Sequence, residues 1–434
     1  MSDFAIGLCG IGAMFVLMIL RMPVGMAMLA VGYFGTVILN GTRSANALLL
    51  TETFSSASNY SLTVIPLFVL MGNIASAAGF SSRLYEAAFA WVGWLRGGLA
   101  SASIVGCAAF SAVSGSSVAT AVTIGRVALP EMKRFGYSDA LSTGAVAAGG
   151  TLGFLIPPST GFVIYAILTE ESIGQLFMAG ILPGLLLTAF FMGAIAFVTL
   201  RNPGAGPRGE FVPFEERFKA LLRAMPLLLV IVVSIGGIYL GIFTPVEAAG
   251  VGAGMVALMA GISGNMNREQ AVKAVSDTVR TTAMLYLIII GASVLNPFLA
   301  LTELPATLGE TMTAAGFGPY GLLFLIVLAY LALGMFMDGL AMLVVTIPIF
   351  FPIVTAAGFD PIWFGVIAVI VIEMGMITPP VGLNVFVVKS VAEDVSMGTI
   401  FRGVLPFWFA MAACLLVIVV FPQIALLIPQ AMFR

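Results

Sequence analysis

Histidine does not occur in this 434-residue chain. Its absence removes imidazole proton relays, the usual zinc ligand and any Ser-His-Asp triad. Only three cysteines are present, Cys9, Cys107 and Cys414, far apart in apolar surroundings, so neither a disulfide framework nor a metal site is indicated. No Gly-Lys pair occurs anywhere, which excludes a phosphate-binding loop and ATP hydrolysis by that route. Charge is scarce as well. Nine per cent of residues are Asp, Glu, Lys or Arg, where a soluble domain carries roughly 25%. The N-terminus lacks a basic n-region and a small-residue cleavage pattern, so its first apolar run is expected to be a retained helix and not a removed signal.

What is present is hydrocarbon. Sixty per cent of the residues are hydrophobic, and runs such as FAIGLCGIGAMFVLMIL (4–20) and LLLVIVVSIGGIYLGIF (227–243) recur along the chain. Each approaches the roughly 20 residues needed to cross a hydrocarbon core of about 30 Å. At that depth backbone groups must be satisfied within helices, so the expected fold is an all-α polytopic membrane protein.

Sliding the chain along itself by 222 residues lays Pro130 on Pro352, Gly136 on Gly358 and Pro157-Pro158 on Pro379-Pro380. A double proline and two further matches in one register indicate two repeats. The first (1–200) has crossings near 4–20, 23–39 and 60–79. It continues with an apolar stretch (97–131) broken at SGSS, a helix (138–168) interrupted at GGTLGFLIPPSTG, and a crossing at 176–200. A connector (201–224) leads to the second (225–434), with crossings at 225–243, 245–262 and 281–300. A stretch (319–352) broken at MFMDG follows, then an interrupted helix (361–391) and a crossing near 403–428.

The arms on either side of SGSS and MFMDG are some 15 to 18 residues, at or below the spanning limit, so each stretch reads as a re-entrant hairpin. Two ordinary crossings joined by a short loop are the alternative. Five true crossings per repeat would invert the second copy. If the connector is cytoplasmic, that face receives fifteen basic residues, among them Arg21, Arg96, Lys133, Arg201, Arg208, Arg223, Arg268 and Arg402. The opposite face keeps Arg43 and Arg434, and Arg126 lies within a hairpin arm. This positive-inside bias puts both termini in the periplasm, whichever way the hairpins are counted. The first hairpin then enters from the cytoplasm and the second from the periplasm.

Inverted repeats with broken helices are a design of secondary transporters, with substrate and ion held near mid-membrane. Unwound stretches free carbonyl oxygens for a small cation, and half-helix N-termini attract an anion. The first tip supplies Ser114, Ser116 and Ser117; its broken partner offers Gly149, Gly150, Thr151, Gly153, Pro157, Pro158, Ser159 and Thr160. The second tip supplies Asp338 and Gly339, facing Gly375, Thr378, Pro379, Pro380, Gly382 and Asn384. The repeat register lays Asp338 on Ser116. Oxygen donors without His or Cys suit an alkali cation. A carboxylate at the bilayer centre costs on the order of 3 kcal/mol, so Asp338 is expected to have a partner. Bound Na⁺ would be one; capping the following helix is the compatible structural role. Glu247, in TPVE, reads as a capping box, and Glu373 as either a buried hydrogen-bonding group or part of transport.

The segments SGSSVATAVTIG (114–125), GFLIPPS (153–159), MFMDG (335–339) and MITPPVGLN (376–384) make the whole chain resemble the large membrane subunit of tripartite ATP-independent periplasmic (TRAP) transporters. The resemblance implies Na⁺-driven uptake of a small carboxylate by an elevator motion. It also implies delivery by a periplasmic binding protein, and a small four-helix membrane subunit expected here as a separate chain. Carried over by position, one Na⁺ site would use Ser114, Ser116 and Ser117 with Gly150, Gly153 and Pro157. The other would use Asp338 and Gly339 with Gly375, Thr378 and Pro379. Substrate would lie between them, near Ser117, Ser159, Thr160, Thr378, Gly382 and Asn384. A bacterial inner-membrane location follows, with no nucleic-acid partner. Rivals are a stand-alone sodium–dicarboxylate symporter, a channel and an intramembrane enzyme; the last lacks both a His-based site and a paired-aspartate motif.

Overall fold

The computed structural model describes residues 2–432 except 210, 265 and 315, and the side chains of 312 and 313 are not described. Arg434, counted above for the outer face, lies outside the described residues. Helices build the fold, and no strand occurs among the described residues. The first repeat comprises α1 (Asp3–Ile19), α2 (Val24–Ser58), α3 (Val64–Ala77), α4 (Phe80–Val92), α5 (Gly98–Ser114), α6 (Ser117–Arg134), α7 (Asp139–Leu155), α8 (Thr160–Thr169) and α9 (Ile173–Arg201). The second comprises α10 (Phe214–Tyr239), α11 (Pro245–Ser263), α12 (Arg268–Leu301), α13 (Leu304–Ala314), α14 (Pro319–Gly334), α15 (Gly339–Ala356), α16 (Pro361–Gly375), α17 (Leu383–Val391), α18 (Met397–Val420) and α19 (Gln423–Met432). Nine helical segments among the described residues are long and apolar enough to cross a membrane.

The repeat extends to the capping chemistry. Gly136 (φ 73°) and Gly358 (φ 86°) end α6 and α15 in the left-handed region, where glycine carries no Cβ penalty. Each sits in a Schellman motif: Tyr137 N–H donates to the Met132 carbonyl and Phe359 N–H to that of Val354. Two residues on, Ser138 and Asp360 cap α7 and α16 by accepting from Leu141 N–H and Trp363 N–H. Equivalent stops and starts thus fold two inverted repeats, each with a re-entrant hairpin (α5–α6 and α14–α15) and a broken helix (α7–α8 and α16–α17).

Several boundaries differ from the sequence expectation. The crossing at 23–39 belongs to α2, which runs on to Ser58 past a non-helical Gly41 (φ 82°). The crossing at 281–300 belongs to α12, which starts at Arg268. The last crossing ends at Val420, and α19 is a separate short helix after Pro422. Helices α4 and α13 lie in stretches to which the sequence reading assigned no element. The added segments are amphipathic or charged, so a search for hydrocarbon-length runs passes over them. The interruption expected across GGTLGFLIPPSTG is confined to 156–159, because nothing before the double proline stops the helix.

Packing sorts the helices. Helix α2 lies along α12, and α3 packs on both α11 and α12. A Cβ on Gly25 would meet the Leu287 carbonyl at 2.6 Å and one on Gly32 that of Val294 at 2.5 Å. Small residues at such seams are how helices associate without a hydrophobic driving force. The hairpins and broken helices cross-pack between repeats, α6 on α17 and α15 on α8, while α7 packs on α18.

Candidate functional site

The first tip closes on the first break. Gly115 ends α5 at φ 59°, and its carbonyl accepts from Thr160 Oγ1 at 2.8 Å and Thr160 N–H at 3.3 Å. Ser114 and Thr120 hydroxyls lie 2.8 Å apart, and Ser116 caps α6 by accepting from Ala119 N–H. The glycines of α7 form a flat face under this tip. A Cβ on Gly153 would stand 2.5 Å from the Ser116 carbonyl, and one on Gly150 2.8 Å from the Ala121 Cβ. Gly150 and Gly153 therefore lie within helix α7 and admit the tip, while Pro157 and Pro158 are buried in the break itself. Ser159 caps α8 and also donates to the Phe154 carbonyl at 2.5 Å.

The second tip repeats this with a carboxylate. Asp338 Oδ1 accepts from Leu340 and Ala341 N–H, each at 3.1 Å, capping α15 at the position equivalent to Ser116. Gly339 is buried against Ile372 and Met376, and Gly334 meets Gly375 closely. Here the repeats diverge: Pro379 and Pro380 are exposed, where Pro157 and Pro158 are buried. Thr378 Oγ1 donates to the Met374 carbonyl at 2.6 Å and accepts from Trp408 Nε1 at 2.9 Å. Gly382 starts α17 at φ 62°.

One cavity of about 160 Å³ is lined by Phe110, Ser114, Ser116 and Ala119 of the first hairpin, by Thr160, and by Leu340, which follows the second tip. Its remaining wall comes from α3 and α12: Val69, Gly72, Asn73, Ser76, Thr281 and Leu285. Asn73 Nδ2 donates to Thr278 Oγ1 at 2.9 Å. Asp338, Thr378, Pro379 and Gly382 do not line this cavity. Sequence reading missed Asn73, Ser76 and Thr281; polar side chains on otherwise apolar spans were the available signal. A larger groove, about 970 Å³ between α9 and α18, is walled by Leu186, Phe190, Phe197 and Phe409 and holds none of these polar groups.

A second convergence is buried. Ser117 Oγ donates to Glu373 Oε1 at 2.5 Å, joining residues 256 positions apart in opposite repeats. Asn384 lies beside the same carboxylate. At the basic end of the molecule, Lys133 of α6 pairs with Asp394 in the loop after α17, and the Lys133 ammonium holds the Asp394 carboxyl below the usual carboxylate range. The connector docks there: Gly97 N–H donates to the Gly206 carbonyl and Ser138 N–H to that of Ala205.

A family profile described as "Tripartite ATP-independent periplasmic transporter, DctM component" matches residues 11–424. The chain belongs to that family. It is similar to the C4-dicarboxylate TRAP transporter large permease protein DctM of Pseudomonas aeruginosa, 37% identical over 91% of this chain and 92% of the relative. It is also similar to the sialic acid TRAP transporter large permease protein SiaM of Vibrio cholerae, 34% identical over 94% and 95%. Among solved structures, that of the YdaH transporter of Alcanivorax borkumensis, described as having an unusual topology, shares the fold. Its TM-score is 0.63 at 17% identity, covering 89% of this chain and 90% of that one. The chain is thus a multi-pass TRAP large permease subunit.

Proposed function

We propose that this subunit carries out Na⁺-coupled uptake of a small carboxylate by an elevator motion, in the bacterial inner membrane with both termini periplasmic. Substrate is handed over by a periplasmic binding protein, and a small four-helix subunit completes the membrane part. The observation that carries the reading is the pair of hairpins, capped by Ser116 and Asp338 at equivalent positions, with Ser114, Ser116 and Leu340 lining one cavity against α3 and α12. Coupling ions would sit where each tip meets its break: Ser114, Ser116 and Ser117 with Gly150, Gly153 and Pro157, and Asp338 and Gly339 with Gly375, Thr378 and Pro379. Half-helix N-termini at Ser117, Thr160, Gly339 and Leu383, together with bound cations, supply positive potential for an anion without an arginine at either tip. The names of the relatives, for C4-dicarboxylates and for sialic acid, support a carboxylate. Ser117, Ser159, Thr160, Thr378, Gly382 and Asn384 are the substrate-side candidates.

The test is uptake of a panel of labelled organic acids into proteoliposomes holding this chain and its small partner. It is run with and without an inward Na⁺ gradient and with and without the binding protein. Uptake that needs both supports the proposal and names the substrate; sodium-driven uptake without the binding protein identifies a stand-alone symporter.

A further inference from the structure

Glu373 is 1% exposed and Asn384 is fully buried. One carboxylate oxygen of Glu373 is engaged by Ser117. The other, Oε2, has no hydrogen-bond partner, and neither atom of the Asn384 amide has one. The neighbours acting on Glu373 are Ser117 and Asn384, and no basic residue is among them. None of the ion pairs among the described residues includes Glu373.

A buried carboxylate lacking a countercharge is costly, and buried polar groups are ordinarily satisfied. An amide–carboxylate hydrogen bond alone would use Nδ2 and Oε2 and leave Oδ1 of Asn384 bare, and a neutral acid donating from Oε2 to Oδ1 would fill both without an ion, so the sodium count below decides between a proton and a cation here. A cation between Oε2 and Oδ1, with Ser117 Oγ as a third oxygen, satisfies both acceptors and the charge together. One carboxylate with two neutral oxygens balances a single positive charge, and hard oxygen donors select an alkali ion.

We propose that Glu373, Asn384 and Ser117 form a further Na⁺ site beside the first tip site, with which it shares Ser117, joining the second arm of hairpin α5–α6 to both halves of the broken helix α16–α17. The three ligands come from α6, α16 and α17, so the ion ties the first repeat to the second. On this reading Asn384, a substrate-side candidate above, is an ion ligand. This inference rests on the sodium-coupled reading and adds an ion to it.

The test is binding of radiolabelled Na⁺ to the purified full chain, counted per chain, for wild type, Glu373→Gln, Asn384→Ala and Asp338→Asn, each checked for monodispersity by gel filtration. Gln matches the shape of a neutral acid and cannot balance a cation. The expected result is one bound ion fewer in Glu373→Gln and in Asn384→Ala, with the sodium response of the remaining sites retained. Undiminished binding in Glu373→Gln, with wild type binding sodium, overturns this site alone. Should Glu373→Gln fail to fold, Asn384→Ala decides by the same count. No bound sodium in wild type overturns the coupled reading and this site with it.

Discussion

The carboxylate of Asp338 accepts two backbone N–H groups at the head of α15, and asparagine at an N-cap does so about as well. Asp338→Asn should therefore change the melting temperature little, at a cost below about 1 kcal/mol. It should nonetheless abolish sodium-driven uptake, since the amide keeps the cap and loses the charge. Asp338→Ala should lose both, and equal melting of the two variants would argue against the capping role. The Lys133–Asp394 pair gives a pH prediction. The carboxyl is depressed and the ammonium raised, so the pair's contribution is present from about pH 4 to about pH 10. It is lost as pH falls through the lowered carboxyl or rises through the raised ammonium. The melting difference between wild type and Asp394→Asn should be small, constant near neutrality and absent in acid; a difference growing in acid would contradict this.

At the scale of elements, the tip–break junction depends on α7 having no side chain under Ser116. Gly153→Val would place Cβ 2.5 Å from the Ser116 carbonyl oxygen, and the atoms it meets are backbone, which yields only if the hairpin shifts. Overpacking of this kind costs about 1–3 kcal/mol, so lowered stability and lost uptake are expected together. Gly254→Ala in α11, where a Cβ meets open space, should be neutral or slightly stabilising in the same assay. Much at this scale was legible in the sequence. Arm lengths and the tips SGSS and MFMDG placed both hairpins, and the proline pairs both breaks, because backbone punctuation depends on local chemistry. The glycines 149–153 were misjudged as part of the break for a related reason: glycine signals both flexibility and close approach, and only the packed hairpin decides which. The bond between Ser117 and Glu373 had no local signal at all, being set by how two distant repeats fold together.

On the scale of the whole molecule, several basic residues lie on or beside the docked connector. Arg96 and Arg208 face each other in a backbone bridge, and Arg223 approaches Glu86 at 4.0 Å. With Cys9 replaced by serine, a cysteine at exposed Gly204 should react with an impermeant thiol reagent only from the cytoplasmic side. A cysteine at exposed Thr42 should react only from the periplasmic side, and the reverse pattern would invert the orientation.

The central claim is that a sodium gradient drives the substrate, and the most direct measurement is net movement from equal substrate concentrations on both sides of a proteoliposome membrane. With the small subunit and binding protein present, an inward Na⁺ gradient should produce accumulation above the starting concentration, and Asp338→Asn should remain at equilibrium. A substrate distribution that stays level under the imposed gradient in wild type would contradict the account.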